Sequence, residues 1–286
     1  MKYLLLRHCR CGSSPIRRER PIMENTQYME YQEAVLACIL DLMDKGFVLG
    51  LGGNASVRIE GTDTIAVTPS QREHKELSPA DICIVDFDLR PVVDNGLQPS
   101  LETRMHISVY RNRLDVSAAV HTHQTFASVF SLINEPIPAL FDEVSSRIGN
   151  RVEVVPYGLS GSQQLLDNIT ARLDNRSYCY ILQNHGALCL GTDLTEAKRN
   201  AELLEKAARI YYYALTTGKE ITRLPQDIQD LFGLRFKGLA IDYERTLYRD
   251  EAPRITPFCK YTVSASSGET VQPPPESGGM RTREDA

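Results

Sequence analysis

The chain has 286 residues, 42% of them hydrophobic and 24% charged, with a formal net charge of −5. Such a composition belongs to a globular protein with room for one sizeable core or two small ones, and a pI near 5.8 gives no basic face for nucleic acid. No apolar run reaches the roughly 18 residues of a membrane span, so neither nucleic acid nor membrane is expected as a partner.

The opening "MKYLLLRHCRCGSSPIRRER" has an apolar stretch of only about four residues, too short for a signal peptide. Residues 1–25 are expected to be a disordered basic extension, with Met23 as an alternative start. "MEYQEAVLACILDLMDKG" spaces Val35, Ile39, Leu42 and Met43 at helical intervals and stops at Gly46. "NASVRIEG" and "TIAVTPS" read as a hairpin around "EGTDT", and "DICIVDFD" as a third strand that "LRPVV" continues after a turn. "ETRMHISVYRNR" is expected to be a helix with Met105, Ile107 and Val109 on one side. "VSAAVHTH" is the next strand, "QTFASVFSLI" a helix, "RVEVVPY" a strand, and "SGSQQLLDNITARL" a helix capped by Ser160 or Ser162. "SYCYILQNHGALCLG" reads as two hydrophobic strands turning at "QNHG". "TDLTEAKRNAELLEKAARIYYYALTTGK" is a long helix capped by Thr192 or Thr195, its tyrosines serving packing. "SASSGETVQPPPESGGMRTREDA" has the composition of a disordered tail.

The expected fold is therefore α/β: one domain over residues 26–250, with helices covering a mainly antiparallel sheet and a tail over 251–286. The seven cysteines are odd in number and mostly embedded in apolar runs, as reduced thiols of a cytoplasmic protein would be. The Cys9/Cys11 pair has no second pair nearby to complete a zinc site.

The chemistry concentrates in "AAVHTHQTF". Side chains of a strand alternate, so His121 and His123 point to one side and Thr122 to the other. Two imidazoles there fit either a metal ion or a hydrogen-bonded pair. His185 stands in the "QNHG" turn, between strands, and three imidazoles with an open position form a recurrent catalytic zinc site. Glu102 opens a helix, where Ser100 can cap and a carboxylate is favoured by the dipole. Beside a metal it would be a general base or a ligand.

"GLGGNASVR", "AVTPSQ", "QPSLETRMH", "AAVHTH" and "LQNHGAL" together resemble, in order and spacing, the class II aldolase/adducin family. The resemblance spans roughly Glu30 to Pro225. It implies an α/β/α layered domain, assembled as a homotetramer with the active site between subunits. It also implies a divalent ion, Zn²⁺ or else Mn²⁺ or Co²⁺, on His121, His123 and His185, with Glu102 as acid/base and possible fourth ligand. Gly53, Asn54, Thr68, Ser70 and Ser100 would bind the substrate. The implied activity is a lyase of carbohydrate (pentose) catabolism that splits a carbon–carbon bond of a small hydroxy-carbonyl substrate through a metal-stabilised enediolate. A decarboxylase or an epimerase would use the same site, and an adducin-like binding module would lack it.

Three positions depart from the family pattern. Gln71 replaces a glycine and Leu101 a serine, which puts a phosphate pocket in question and makes a carboxylated substrate an alternative. Arg72, His74 and Lys75 would serve such an anion or form a solvated turn. At "IPALFDE" a catalytic tyrosine is missing, and Asp142 is the candidate to replace it.

Overall fold

Ala118–Thr122 (β5) is buried over its whole length and lies at the centre of a nine-stranded sheet. The molecule is described by a computed structural model covering residues 25–236 and two short strands at 239–240 and 264–265. Asn25, the last residue of the expected N-terminal extension, opens a helix. The rest of that extension, with Met23 and the Cys9/Cys11 pair, and the expected tail other than 264–265 lie outside the described residues.

The chain enters through α1 (Asn25–Asp44) and then lays down β1 (Asn54–Arg58), β2 (Thr64–Val67), β3 (Cys83–Asp86) and β4 (Pro91–Val93) as an antiparallel meander. Helix α2 (Thr103–Asn112) leads to β5, which returns beside β1. Then come α3 (Thr125–Ile133), β6 (Ile137–Pro138), α4 (Asp142–Ile148), β7 (Arg151–Val155) and α5 (Gln163–Thr170). The hairpin of β8 (Cys179–Leu182) and β9 (Gly186–Gly191) closes on β5, followed by α6 (Leu194–Thr216) and α7 (Gln226–Phe236). Leu239–Ala240 (β10) and Ser264–Ala265 (β11) form a separate two-stranded pair. The strand order is β4-β3-β2-β1-β5-β9-β8-β7-β6, antiparallel except where β7 runs parallel to β8. The fold is thus α/β, with a mixed, mostly antiparallel sheet.

Period-two alternation feeds two apolar clusters, one on each face. Ala118 and Val120 of β5, with Cys179, Ile181, Ala187 and Cys189, join residues of α1, α3, α4 and α6. Ala119, Tyr180, Leu182, Leu188 and Leu190 point the other way and join residues of α2 and α5. Burying each large aliphatic side chain contributes about 1.5–3 kcal/mol, which makes this central strip the firmest part of the molecule. Cys38, Cys83, Cys179 and Cys189 are buried free thiols, and burial pushes Cys38 up to about 12 and Cys83 up to about 11.

Two local expectations need correction. Residues two apart on a helix lie on opposite sides, so Met105, Ile107 and Val109 are not a face by themselves. The helix instead buries Met105, His106, Ile107, Val109 and Tyr110. Helix α6 is capped by Asp193, whose carboxylate accepts the Glu196 N–H, while Thr192 donates to the Glu196 side chain. Of the two caps expected for α5, Ser162 is the one that serves, its hydroxyl accepting the Leu165 N–H, which frees Ser160 for another task. No helix among the described residues is long and apolar enough to cross a membrane.

Candidate metal centre

His121 and His123 sit on the α2 side of β5, as their parity with Ala119 requires. A carbonyl oxygen can only accept, so His121 Nδ1, 2.9 Å from the Ala187 carbonyl, carries the proton and donates. Its Nε2 is left as a lone pair facing His123 Nε2 at 2.8 Å. His185 comes from the β8–β9 turn, where Asn184 takes the left-handed conformation (φ 54°) and its N–H reaches Ser131 on α3. One ring nitrogen from each of His121, His123 and His185 lies within 4.8 Å of the others. The approach is close enough that Gly186 admits no side chain: a Cβ there would collide with the Thr122 carbonyl and come within 2.6 Å of the His123 ring.

Glu102 precedes α2 and turns its carboxylate into this cluster. Oε2 lies 3.2 Å from His121 Nε2 and Oε1 lies 3.4 Å from His185 Nε2. Asn54 Nδ2 donates to Oε2 at 2.8 Å, and Ser160 Oγ donates to Oε1 at 2.6 Å. Burial by itself would raise the Glu102 carboxyl. The His121 and His185 imidazoles, with the Ser160 and Asn54 donors, outweigh it and hold the group well below the usual carboxylate range, at about 2. Burial, offset in part by Glu102, pushes His121 down to about 4, and burial likewise lowers His123. At neutral pH these two imidazoles are uncharged and the carboxylate is ionised, the protonation states that metal ligation requires.

The other expected site residues are distributed unevenly. Gly53 has φ 72° and its Cα faces the His121 carbonyl, which a Cβ would approach to 2.8 Å. Asn54 is engaged with Glu102. Thr68 is fully buried and its hydroxyl accepts the Ala55 N–H. Ser70 and Ser100 are half-buried, and Ser100 Oγ accepts the Glu102 N–H at 3.3 Å. Gln71 is exposed at φ 55°, so the glutamine keeps the left-handed backbone that a glycine there would favour. His74 is buried, with Nε2 3.2 Å from the Gly52 carbonyl. Asp142 is exposed in the first turn of α4. Among the described residues, no hydrogen bond or ion pair joins it to the imidazoles. Ser160, considered above only as a cap, is the donor that sequence reasoning missed.

Three neutral-capable imidazoles, one with its tautomer set by a backbone carbonyl, and an ionised carboxylate form a donor set suited to a divalent ion of the zinc type. Comparison with known proteins points the same way. The profile of the class II aldolase and adducin N-terminal domain matches residues 33–212. A 5-deoxy-D-ribulose 1-phosphate aldolase of Bacillus thuringiensis serovar kurstaki is 31% identical over 208 residues, 72% of this chain and 95% of its own. An L-fuculose phosphate aldolase of Methanococcus maripaludis is 33% identical over 184 residues, 64% of this chain and 97% of its own. A solved L-fuculose 1-phosphate aldolase superposes with a TM-score of 0.68 at 30% identity, covering 73% of this chain and 96% of that one. The chain belongs to the class II aldolase and adducin family, and it is an enzyme of the aldolase, that is lyase, type.

Proposed function

We propose that the protein is a divalent-metal-dependent aldolase that splits a carbon–carbon bond of a small sugar-phosphate-like hydroxy-carbonyl substrate by a retro-aldol route. The observation that carries this reading is the contact of the Glu102 carboxylate with the Nε2 atoms of both His121 and His185. His121, His123 and His185 would hold the ion, which supplies the electrophile that offsets negative charge on the substrate's oxygens when the bond breaks.

Glu102 then moves the proton. It is ionised at neutral pH, and its two oxygens are held by Asn54 and Ser160, so its approach to a substrate is fixed in advance. The buried surroundings of Glu102, itself 6% exposed, keep bulk water from competing for that proton. Ser70 and Ser100, at the rim, offer hydroxyls for an anionic group of the substrate. Leu101 is 66% exposed beside Ser100 and offers none, which favours testing carboxylated acids next to sugar phosphates. Asp142, in the first turn of α4, is kept as the alternative proton carrier should Glu102 not serve. Leu49, Leu51, Leu101 and Leu159 are all more than half exposed, which supports assembly with further copies that cover apolar surface; the assembly proposed is a homotetramer, and the compartment proposed is the cytoplasm.

The test is to incubate the protein with L-fuculose 1-phosphate, 5-deoxy-D-ribulose 1-phosphate and a panel of small hydroxy acids. Each is assayed before chelation, after it, and after return of Zn²⁺, Mn²⁺ or Co²⁺. Metal-restored aldehyde release supports the proposal, and CO₂ release instead would replace it with the decarboxylase reading. Light scattering should give a mass near four times 32.1 kDa, and a fully active monomer would overturn the assembly.

A further inference from the structure

Beneath the candidate centre, α2 and β1 are joined by a row of polar contacts, of which the proposed chemistry uses only that of Asn54 with Glu102. Asn54 and Ser56 are two apart on β1 and face α2, while Ala55 and Val57 face the opposite cluster. Glu102 and His106 are four apart at the start of α2. Four helical residues rise about 6 Å and two strand residues about 6.7 Å, so the two pairs meet as successive rungs. Asn54 donates to Glu102 at 2.8 Å, and Ser56 Oγ lies 2.7 Å from His106 Nδ1. Tyr110, one turn further along, reaches back to Ser56, with its hydroxyl 2.6 Å from Oγ and donating to the Ser56 carbonyl at 3.1 Å.

Ser56, His106 and Tyr110 are all fully buried. Around them α2 is otherwise held by Met105, Ile107 and Val109 in an apolar cluster. Apolar contact holds a helix on a sheet without direction and tolerates small slides and rotations. Hydrogen bonds between buried groups are satisfied in one register only, and a slip leaves them unpaired at a cost. The first rung of this ladder is the Glu102 carboxylate itself, so a shift of α2 moves it away from His121, His185 and Ser160 together.

We propose that His106 and Ser56 are positioning residues for Glu102, fixing the register of α2 on β1 that places its carboxylate at the imidazole cluster. The proposal rests on the catalytic reading of Glu102 given above. His106 does not touch the substrate in this scheme, and its side chain acts through Ser56 and the helix.

The experiment uses the full chain with His106→Leu, His106→Asn and Ser56→Ala. Asparagine can place a donor or an acceptor near the position of Nδ1, so it is the conservative rescue. In crystal structures of folded His106→Leu and Ser56→Ala, the Glu102 carboxylate is expected to shift by about 1 Å or more, a displacement large enough to matter for proton transfer. His106→Asn should restore its contacts with Asn54, Ser160 and His121. In turnover of the two sugar phosphates, His106→Leu should lower kcat about 10-fold or more with KM little changed, and should add no further loss to Glu102→Gln. A folded His106→Leu or Ser56→Ala protein with every Glu102 contact intact overturns the proposal, as does a His106 effect that multiplies with Glu102→Gln. Should His106→Leu fail to fold, Ser56→Ala is judged by the same criteria. A wild-type protein inactive on both sugar phosphates counts against the substrate reading, and the crystallographic comparison then decides this one.

Discussion

The Nδ1–H of His121 donates to the Ala187 carbonyl of the neighbouring strand at 2.9 Å, and this bond selects the tautomer that turns Nε2 toward His123, His185 and Glu102. The acceptor is backbone in the middle of the sheet, so the ring is oriented by the most rigid part of the molecule.

Metal binding follows from that orientation. The protein is expected to hold close to one divalent ion per chain, as measured by elemental analysis. His123 is less buried than His121, so its removal disturbs packing least. His123→Ala should weaken Zn²⁺ binding by about 100-fold or more in a competition titration, beyond the roughly 10–100-fold cost of losing a group that only orients a ligand. His74→Ala, at the Gly52 carbonyl, should leave the affinity near that of the wild type. Equal affinity in His123→Ala would remove this residue from the ligand set.

Glu102→Gln keeps the size of the side chain and an oxygen for Asn54 or Ser160, but it cannot accept a proton. Turnover should fall by about 10²-fold or more, with metal content nearly unchanged because three imidazoles remain. If Glu102 were only a helix-start residue, the loss would be of stability alone, about 1 kcal/mol or less. Near-normal turnover would shift attention to Asp142.

Acid stability should depend on Asp115. Burial would raise its carboxyl, but the bidentate Arg113 guanidinium, at 2.9 and 2.8 Å, outweighs burial, with Arg176 adding to the effect, and holds it at about 2 against 3.8 for an unperturbed aspartate. The folded state then binds fewer protons than the unfolded chain, so the stabilisation is complete above about pH 4 and is lost as pH falls through about 2. The group is partly exposed, and solvent screening reduces the contribution to about 1 kcal/mol. Asp115→Asn should lower the urea midpoint at pH 7 and flatten its fall between pH 4 and pH 2. An unchanged acid limb would show that this pair carries no linkage.

The first turn of α3 lacks a cap of its own. Glu205 on α6 supplies one, its carboxylate accepting the N–H groups of Phe126 at 2.9 Å and Ala127 at 3.0 Å. Glu205→Ala should cost about 1–2 kcal/mol, and Glu205→Gln less because an acceptor remains. Thermal melts of both variants test the order, and equal stability would contradict the capping role.

The parts of this site that were legible in the sequence are those governed by local rules. Alternation along β5 puts His121 and His123 on one side, and the turn residues around His185 announce a hairpin. Ser160 was hidden because its partner Glu102 lies 58 residues away along the chain, and the segment between β7 and α5 that carries Ser160 has no periodicity. Asn54 is expected from the family resemblance to bind the substrate, and nothing local reveals that its amide also donates to Glu102. The segment carrying β6 and α4 gave no element in advance: a two-residue strand and a helix of seven residues are too short to establish a period. At α6, Thr192, Asp193 and Thr195 are all competent caps, and only the packed geometry selects the aspartate.

The pairing of β1, β5 and β9 has a consequence for how the molecule comes apart. Asn54, His121 and Ala187 are neighbours across three strands, although 66 residues of chain separate His121 from Ala187. No short fragment can assemble this set, and contacts of such sequence separation are slow to form. An ion held by the three imidazoles would bind the folded state alone, so its affinity would add to the stability of the central strands as RT ln(1 + [ion]/Kd). Fraying at α7 or the outer edge at β4 would leave the ion in place, and its release would report the opening of the sheet's middle.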